Sequence, residues 1–378
     1  MERSPAAEET AVPEPGDEQQ ADATILTADR DVATGPAHDA QDSAAADGAA
    51  PESPVAPKRK RRWPRIVGIT VLVLAVLAGG ATAAGWHYLR SVEEKVTRVD
   101  AFQGVPDTER PAKPATRAMN ILILGSDSRE PELEGSRTDT IMLAHVTSDH
   151  SAAQIVSIPR DTWVPIPRTA SGRGGVNAKI NAAFAWGGVP LMVRTVEAFT
   201  KVRIDHVIII DFAGFAQVVD AVGGVDVVIE KDFTSIHPPH RTFTAGRRHL
   251  NGEEALDYSR QRKQFANGDF SRIKHQQQVI RAILDKATSA GILADPGKLD
   301  SLLTSIAKSI SADAGFDLLA TAMSLRGMSG GKIRFITNPT SGGGWEGSQS
   351  VVYANKPVAA SLYAAINDDK GATWQAPK

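Results

Sequence analysis

Hydrophobic positions in the C-terminal two thirds of this 378-residue chain follow two alternating patterns. Short, β-branched runs bounded by Gly, Ser, Pro or Asp predict buried strands, namely NILILG, TIMLAHV, AAQIVSI, HVIIIDF, VDVVI and KIRFIT. Helical periodicity between them predicts helices near 189–200, 213–221 and 271–288. This alternation predicts an α/β fold, with a mostly buried mixed central sheet flanked by helices. The glycine-rich segment TSGGGWEG (340–347) is predicted to be a flexible connection.

The longest apolar run, residues 66–86, has 21 residues without a charge and is long enough to cross a bilayer as a helix. The basic segment KRKRRWPR (58–65) precedes it, and such clusters mark the cytoplasmic side of a span. The alternative is a cleaved signal peptide, whose apolar core is usually shorter and nearer the N-terminus. We therefore expect a single-pass protein of the cell membrane, with a cytoplasmic N-terminus and an extracytoplasmic domain.

Composition divides the rest of the chain into segments. Residues 1–57 carry 13 Asp and Glu against two Arg and no aromatic residue, which predicts a disordered acidic tail. Residues 87–116 are predicted to be a stalk and a Pro-containing linker, 117–369 the extracytoplasmic domain, and 370–378 a tail. The net charge of −2 conceals a basic remainder, which suits anionic partners. The absence of cysteine excludes disulfides and thiol chemistry.

Charged residues are concentrated in the loop between the first two predicted strands. Asp127 and Asp139 lie at the two ends of this loop, and Arg129 and Arg137 lie two residues inside those ends. Two neighbouring carboxylates repel each other unless a cation lies between them, and Mg²⁺ typically takes one or two carboxylates with waters and a substrate phosphate. The arginines would then hold that phosphate. The alternative is a solvated loop whose exposed ion pairs contribute little.

Two other places combine arginine with a favourable position in the fold. Arg160 and Asp161 follow a predicted strand directly, where α/β proteins often place ligand groups, although a local turn would explain them equally well. Arg272 and Gln276 lie one turn apart near the start of a predicted helix, whose free N–H groups and dipole favour an anion. The alternative there is a basic, solvated helix face.

Arg260 and Arg262 lie just upstream of that helix and would close the other side of such a pocket. Nucleophile chemistry has no candidate, because the sequence contains no Cys, no GxSxG and no HExxH. Its nine histidines are scattered. The chemistry that remains is that of arginines, carboxylates and a metal ion.

Several motifs together resemble the LytR-CpsA-Psr family of cell-wall glycopolymer ligases over residues 117–345. The motifs, in chain order, are GSDSR, RTDTIML, SIPRD, NAKINAAFAWGG, DFAGFAQVVDAVGGVDV, LNGEEALDYSRQR and GDFSRIKHQQQVI. The acidic tail, single span and outer domain are also similar to the family's usual layout.

The resemblance implies a role for particular residues. Asp127 and Asp139 would hold Mg²⁺, or Mn²⁺, on the pyrophosphate of a polyprenyl-linked glycan. Apart from the resemblance, a general base could be Asp139, where the metal does not occupy it fully, with Asp161 as the weaker candidate. The residues implied to line the pyrophosphate are Arg137, Arg160, Arg260, Arg262, Arg272 and Gln276, with Arg160 also counted as catalytic. His275 stands where the family often has a further arginine.

The implied activity is that of a phosphotransferase in cell-wall assembly. It would move a glycopolymer, such as arabinogalactan, a teichoic acid or a capsule, from a polyprenyl-pyrophosphate carrier to the 6-hydroxyl of N-acetylmuramic acid in peptidoglycan. No nucleic acid is expected as a partner. The lipid would need an apolar groove between the sheet and the helices at 213–221 and 273–287. The alternatives are a polyprenyl-pyrophosphate pyrophosphatase and a non-enzymatic, membrane-anchored regulator or glycolipid-binding protein.

The topology can be tested directly. Because the basic cluster precedes the predicted span, protease added to intact protoplasts should digest residues 90–378 and spare the tail. Antibodies to each part, with lysed protoplasts as the control, would detect the fragments. Protection of the C-terminal domain in intact protoplasts would show that the orientation is wrong.

Overall fold

The computed structural model describes residues 85, 87–88, 90–127, 138–289, 291–292, 295–325, 328 and 330–377. The predicted acidic tail and basic segment lie outside these residues, as does the apolar span except for Gly85. Within the part of the chain described here, no helix is both long and apolar enough to cross a membrane.

The described strands form one mixed central sheet and several two-stranded ribbons. In chain order they are β1 (Thr97–Val99), β2 (Met119–Ser126), β3 (Thr138–Val146), β4 (Ala153–Ser157), β5 (Trp163–Ile166), β6 (Val176–Lys179), β7 (His206–Asp211), β8 (Val225–Ile229), β9 (Phe233–Thr234), β10 (Thr242–Phe243), β11 (Gly246–Leu250), β12 (Ile310–Asp313), β13 (Ile333–Thr337), β14 (Thr340–Glu346) and β15 (Gln349–Ala354). The central sheet has the order β1-β12-β7-β2-β3-β4-β13. The pairs β1–β12, β2–β7 and β4–β13 are parallel, and the other neighbours are antiparallel.

Helices cover both faces of this sheet. In chain order they are α1 (Ala182–Thr200), α2 (Phe212–Ala221), α3 (Gly252–Arg260), α4 (Asp269–Ser289), α5 (Pro296–Ser309), α6 (Leu318–Leu325) and α7 (Lys356–Asn367). Along β2, Leu122 and Leu124 pack with α1 and α7, whereas Ile121 and Ile123 pack with α4, α5 and α6. Successive side chains of a strand point to opposite faces, so an uninterrupted apolar run is buried on both. The predicted mixed sheet flanked by helices is confirmed.

Two local predictions need correction. The segment 340–347 is not an irregular connection, because residues 340–346 form β14, which pairs with β15 as an antiparallel ribbon. Its glycines hide the alternating pattern by which a strand is recognised. The helix predicted at 189–200 begins seven residues earlier, at Ala182, and is kinked where Gly187 and Gly188 leave helical geometry. The two glycines and Pro190 obscured its first turn in the sequence.

The domain also extends beyond the predicted boundaries at both ends. Strand β1, within the predicted stalk, pairs with β12 at the edge of the central sheet. At the other end, Trp374 donates a hydrogen bond from its indole Nε1 to Ser361 Oγ at 3.2 Å and packs against the core. Short-range patterns do not reveal these contacts, because each partner lies elsewhere in the fold.

A buried ion pair fastens the predicted linker to the domain. The Arg110 guanidinium donates to both carboxylate oxygens of Glu197 on α1, from Nε at 3.1 and 3.2 Å and from Nη2 at 2.8 Å. Glu197 also accepts from the backbone N–H of Ile204 at 2.9 Å. The side chains of Arg110 and Glu197 are only 10% and 3% exposed, so each compensates a charge that water cannot reach.

Removing one partner of this pair should destabilise the fold. We expect Glu197→Ala to lower the free energy of unfolding by about 3–5 kcal/mol, because it leaves the Arg110 charge buried without compensation. Glu109 pairs with Arg194 and is 53% exposed on its side chain, so Glu109→Ala should cost less than about 1 kcal/mol. Denaturant unfolding of both variants would measure the difference, and equal losses would refute the structural role of Glu197.

Candidate active site

Pairing of β2 with β3 brings two of the predicted acidic residues to one edge of the sheet. Ser126, the last residue of β2, is opposite Thr138, the first residue of β3. Asp127 therefore follows the end of one strand while Asp139 is the second residue of its neighbour. Asp127 is exposed and the Asp139 side chain is 33% exposed. Arg137, like the rest of residues 128–137, lies outside the described part of the chain.

Arg160 lies at the centre of the charged residues at this edge. It follows β4 and Pro159, and its Nη1 donates to Asp139 Oδ1. Its Nε lies 3.7 Å from Asp269 Oδ1 and 3.9 Å from Asp161 Oδ2. Burial alone would lower the pKa of Arg160, but Asp139 and then the other two carboxylates raise it above the ordinary value. Its guanidinium is therefore a fixed positive charge.

Helix α4 contributes a second buried arginine. Arg272 Nη2 lies 2.7 Å from Asp269 Oδ1 and donates to the Asp139 backbone carbonyl at 2.9 Å. Burial raises the pKa of Asp269, and the charges of Arg272 and Arg160 oppose that effect. Asp269 is a site residue that was not predicted from the sequence. The signal was its spacing of three residues from Arg272 in a helix, which puts the two side chains on one face.

The two arginines of SRQR have different surroundings. Gln261, between them, is buried and donates to Asp257 Oδ1 at 2.6 Å and to Ser235 Oγ at 2.8 Å. Arg262 lies close enough to act electrostatically on both Asp269 and Arg272. The Arg260 guanidinium instead lies over the Phe212 ring, 4.6 Å from its centroid. Arg262 therefore adds positive charge to the cluster, whereas the contact described for the Arg260 guanidinium is with Phe212.

Gln276 and His275 point in different directions from α4. Gln276 donates from Nε2 to Thr140 Oγ1 at 2.9 Å, at the edge of the sheet near Asp139. His275 is buried, with ring centroids 4.3 Å from Tyr258 and 4.7 Å from Phe265. Burial lowers the pKa of His275 to about 4, so the ring is neutral near pH 7. It does not replace a phosphate-binding arginine.

An apolar cavity opens beside this cluster, in the place where the sequence predicts a groove. It lies between the sheet and helices α2 and α4, with a volume of about 270 Å³. Most of its lining is aliphatic or aromatic, and its polar lining includes Thr140, Arg260 and Gln276. The apolar lining includes Ile123, Met142, Phe212, Phe215, Ile280 and Leu284. The cavity therefore combines a mostly apolar lining with a few polar groups.

The charged cluster is suited to a strong anion. Among the described residues, the buried Nε atoms of Arg160 and Arg272 donate no hydrogen bond that meets normal geometry. Arginine Nε and Nη donors form a fork that matches two phosphate oxygens. The guanidinium charges are already opposed by Asp139, Asp161 and Asp269, so an incoming anion must compete with these carboxylates. A polyvalent anion can displace these carboxylates, because the guanidinium charges attract it more strongly than a monovalent anion.

The donor set at the strand ends fits a hard divalent cation that arrives with a phosphate. Asp127 and Asp139 supply two carboxylates there, and Mg²⁺ often takes no more than that from a protein. Within the described residues, no group of three or more His, Cys, Asp or Glu side chains forms a complete metal cage. The remaining ligands would have to be waters and phosphate oxygens.

Comparison with known proteins gives the same family as the motifs. The family model described as LytR_cpsA_psr matches residues 78–367. The polyisoprenyl-teichoic acid–peptidoglycan teichoic acid transferase TagU of Bacillus mycoides is 34% identical over 254 residues, covering 67% of this chain and 79% of that protein. The cell wall biosynthesis protein LcpA of Corynebacterium glutamicum is 30% identical over 316 residues, covering 72% of this chain and 58% of LcpA.

A solved structure shows the same architecture. The crystal structure of TagV from B. subtilis superimposes with a TM-score of 0.58 at 28% sequence identity, covering 68% of this chain and 98% of that one. The family model, which matches residues 78–367, includes the central sheet and the charged cluster. This chain belongs to the LytR-CpsA-Psr family.

Proposed function

We propose that this protein is a phosphotransferase that moves a glycopolymer from a polyprenyl-pyrophosphate carrier to a hydroxyl of peptidoglycan, the 6-hydroxyl of N-acetylmuramic acid. The observation that carries the proposal is the continuity between a buried arginine cluster and an apolar cavity. A donor that joins a pyrophosphate to a long hydrocarbon needs both. The names of TagU and LcpA, a teichoic acid transferase and a cell wall biosynthesis protein, support this class.

The donor would bind across the mouth of the cavity. The hydrocarbon enters between α2 and α4, where burial of apolar surface stabilises it. The pyrophosphate lies against Arg160, Arg262 and Arg272, with Gln276 at the boundary between lipid and phosphate. Arg260, which lines the cavity, and Arg137 complete the proposed phosphate-binding set. We place this domain outside the cell membrane, where lipid carrier and peptidoglycan meet.

Binding of the donor would change the partners of the charged residues. Without it, Arg160 is held by Asp139, Asp161 and Asp269. Phosphate oxygens would take over the Arg160 fork, which releases the Asp139 carboxylate for another role. The arginine is thus kept in position before the substrate arrives, and less reorganisation is needed in the transition state.

Asp127 and Asp139 would hold Mg²⁺, with Mn²⁺ as a substitute. When bound, the ion would neutralise negative charge on the departing phosphate. The arginines would also stabilise this negative charge, because it develops on phosphate oxygens that lie next to the guanidinium N–H donors.

The reaction forms one phosphorus–oxygen bond and breaks another. The peptidoglycan hydroxyl oxygen attacks the phosphorus that carries the sugar, and the bond from that phosphorus to the bridging oxygen breaks. Lipid monophosphate leaves with the bridging oxygen and its electron pair. The hydroxyl proton passes to a carboxylate, for which Asp139 and Asp161 are the candidates at this edge of the sheet.

Replacing arginine by lysine tests whether an oriented clamp is needed. Arg160→Lys and Arg262→Lys keep the charge but lose the two-point fork, so transfer should fall by about 10- to 1000-fold. Exposed Lys263, next to Arg262, serves as the control, and Lys263→Ala should stay within about threefold. The assay follows a labelled lipid-linked glycan to peptidoglycan at saturating Mg²⁺. Equal rates in all three variants would mean that positive charge alone suffices.

A second test concerns the metal. Asp127→Ala and Asp139→Ala should each abolish the increase in transfer with Mg²⁺ concentration, since each removes one of only two proposed carboxylate ligands. Asp368→Ala, which changes an exposed carboxylate after α7, should leave the Mg²⁺ response unchanged. Denaturant unfolding of every variant would check the fold. A normal Mg²⁺ response in both site variants would disprove the two-carboxylate site.

A further inference from the structure

A second groove begins at Arg160, and the steps proposed above give most of its residues no role. It has a volume of about 600 Å³ and lies between the β5–β6 ribbon and the start of α1. Its polar lining consists of Arg160, Asp161, Asn177, Lys179, Asn181 and Gln349. It shares no lining residue with the apolar cavity. The Arg160–Asp139 pair lies between the two, because Arg160 lines this groove and Thr140, next to Asp139, lines the cavity.

The wall of this groove is the segment NAKINAAFAWGG (177–188). Its backbone is tied to the charged cluster, since Ile180 N–H donates to the Thr162 carbonyl at 2.8 Å and Asn181 N–H to the Arg160 carbonyl at 3.3 Å. Lys179 Nζ lies 2.9 Å from Asp161 Oδ1. The position of the wall relative to Arg160 is therefore fixed by both backbone and side-chain contacts.

The kink in α1 lies at the end of this wall. Gly187 (φ −154°) and Gly188 (φ +60°) interrupt the helix directly after Trp186. The turn before the kink carries Ala182, Ala185 and Trp186 into the groove lining, while Ala183 and Phe184 of the same turn are buried in the core, like most of the helix after the kink. Gly188 adopts a left-handed φ that favours glycine, so a glycine at this position allows the kink to form without strain.

The β14–β15 ribbon also contributes to the groove. Val352 N–H donates to the Asp161 carbonyl at 2.9 Å, and Thr162 forms an isolated bridge with Val352. This link brings Gln349, at the start of β15, to the groove. The ribbon that the sequence does not predict therefore completes the site.

The groove's chemistry matches a sugar chain. Amide groups of Asn177, Asn181 and Gln349 can donate to and accept from hydroxyl and acetamido groups. The Trp186 ring offers a flat apolar surface with one polar edge, which suits the mixed faces of a pyranose. Lys179 supplies a cation on the same surface.

Position separates the acceptor glycan from the donor glycan. In phosphoryl transfer the attacking and leaving oxygens lie roughly in line with the phosphorus between them. The leaving oxygen belongs to the lipid phosphate, whose hydrocarbon lies in the apolar cavity, so the attacking hydroxyl must come from the far side of the Arg160–Asp139 pair. Arg160 and Asp161 line the groove, so a sugar chain bound there can present its hydroxyl to that side of the pair.

We propose that this groove is the acceptor subsite, which holds a peptidoglycan glycan strand with the attacking hydroxyl toward Arg160 and Asp161. The inference rests on the proposed phosphotransferase function. Asn177 and Trp186 are binding residues of the acceptor, and they do not contact the lipid or the pyrophosphate.

The test compares Asn177→Ala and Trp186→Ala with Trp345→Ala. Trp345 is 70% exposed on β14 and does not line the groove, so it is a matched tryptophan control. Full-length protein in detergent is assayed for transfer while donor and acceptor concentrations are varied separately. Each groove variant should raise the acceptor KM about tenfold, the loss expected for one good contact, and leave the donor KM unchanged. Because Asn177 is exposed, Asn177→Ala should leave the fold intact.

A binding measurement makes the result independent of turnover. Soluble peptidoglycan glycan strands, stripped of their peptides, are titrated into wild type and variants by calorimetry. Weaker binding in the groove variants alone supports the subsite, even if wild type transfers nothing and the proposed reaction is wrong. A raised donor KM with an unchanged acceptor KM would assign the groove to the donor sugar and overturn the proposal. Unchanged values in both groove variants, or no binding by wild type, would also overturn it.

Discussion

Burial of the central sheet on both faces is the constraint on which the rest of the structure depends. Apolar side chains of β2 and β3 fill two separate clusters, so a charged residue in the middle of these strands would be buried without compensation. Charges are tolerated where the strands end. The register of β2 against β3 then decides which charges meet, and a slip by one residue would move Asp139 to the other face. Core packing and site geometry are therefore set by the same pairing.

The second level of organisation is compensation among the charges at that edge. Arg160 contacts three carboxylates, Arg272 contacts Asp269, and Lys179 contacts Asp161. None of these side chains is fully exposed, so each partner lowers the cost of burying the other. A site built of arginines alone would repel itself and lose its geometry. Carboxylates thus have a structural role here, in addition to any part they take in proton transfer or metal binding.

The central strands and most of the site residues can be predicted from the sequence, but not all the contacts between them. Runs such as NILILG are recognisable because burial on both faces leaves no room for polar residues. Arg160, Arg262, Arg272 and Gln276 were found through their positions at element ends. The contact between Arg272 and Asp139 joins residues 133 positions apart, so no local pattern predicts it. Strand β14 and the first turn of α1 were missed because glycines interrupt their periodicity.

The interrupted helix α1 has a consequence for how this protein can diverge. Its C-terminal part carries Leu191, Met192, Val193 and Val196, which are almost wholly buried, so substitutions there are limited by packing. Its first turn is divided between two environments, because Ala183 and Phe184 are buried in the core whereas Ala182, Ala185 and Trp186 line the groove. Substitutions at the groove-lining positions should therefore disturb the core less than substitutions at Ala183 or Phe184. In the proposed acceptor subsite, specificity can therefore change at these few side chains while the buried part of the helix stays the same.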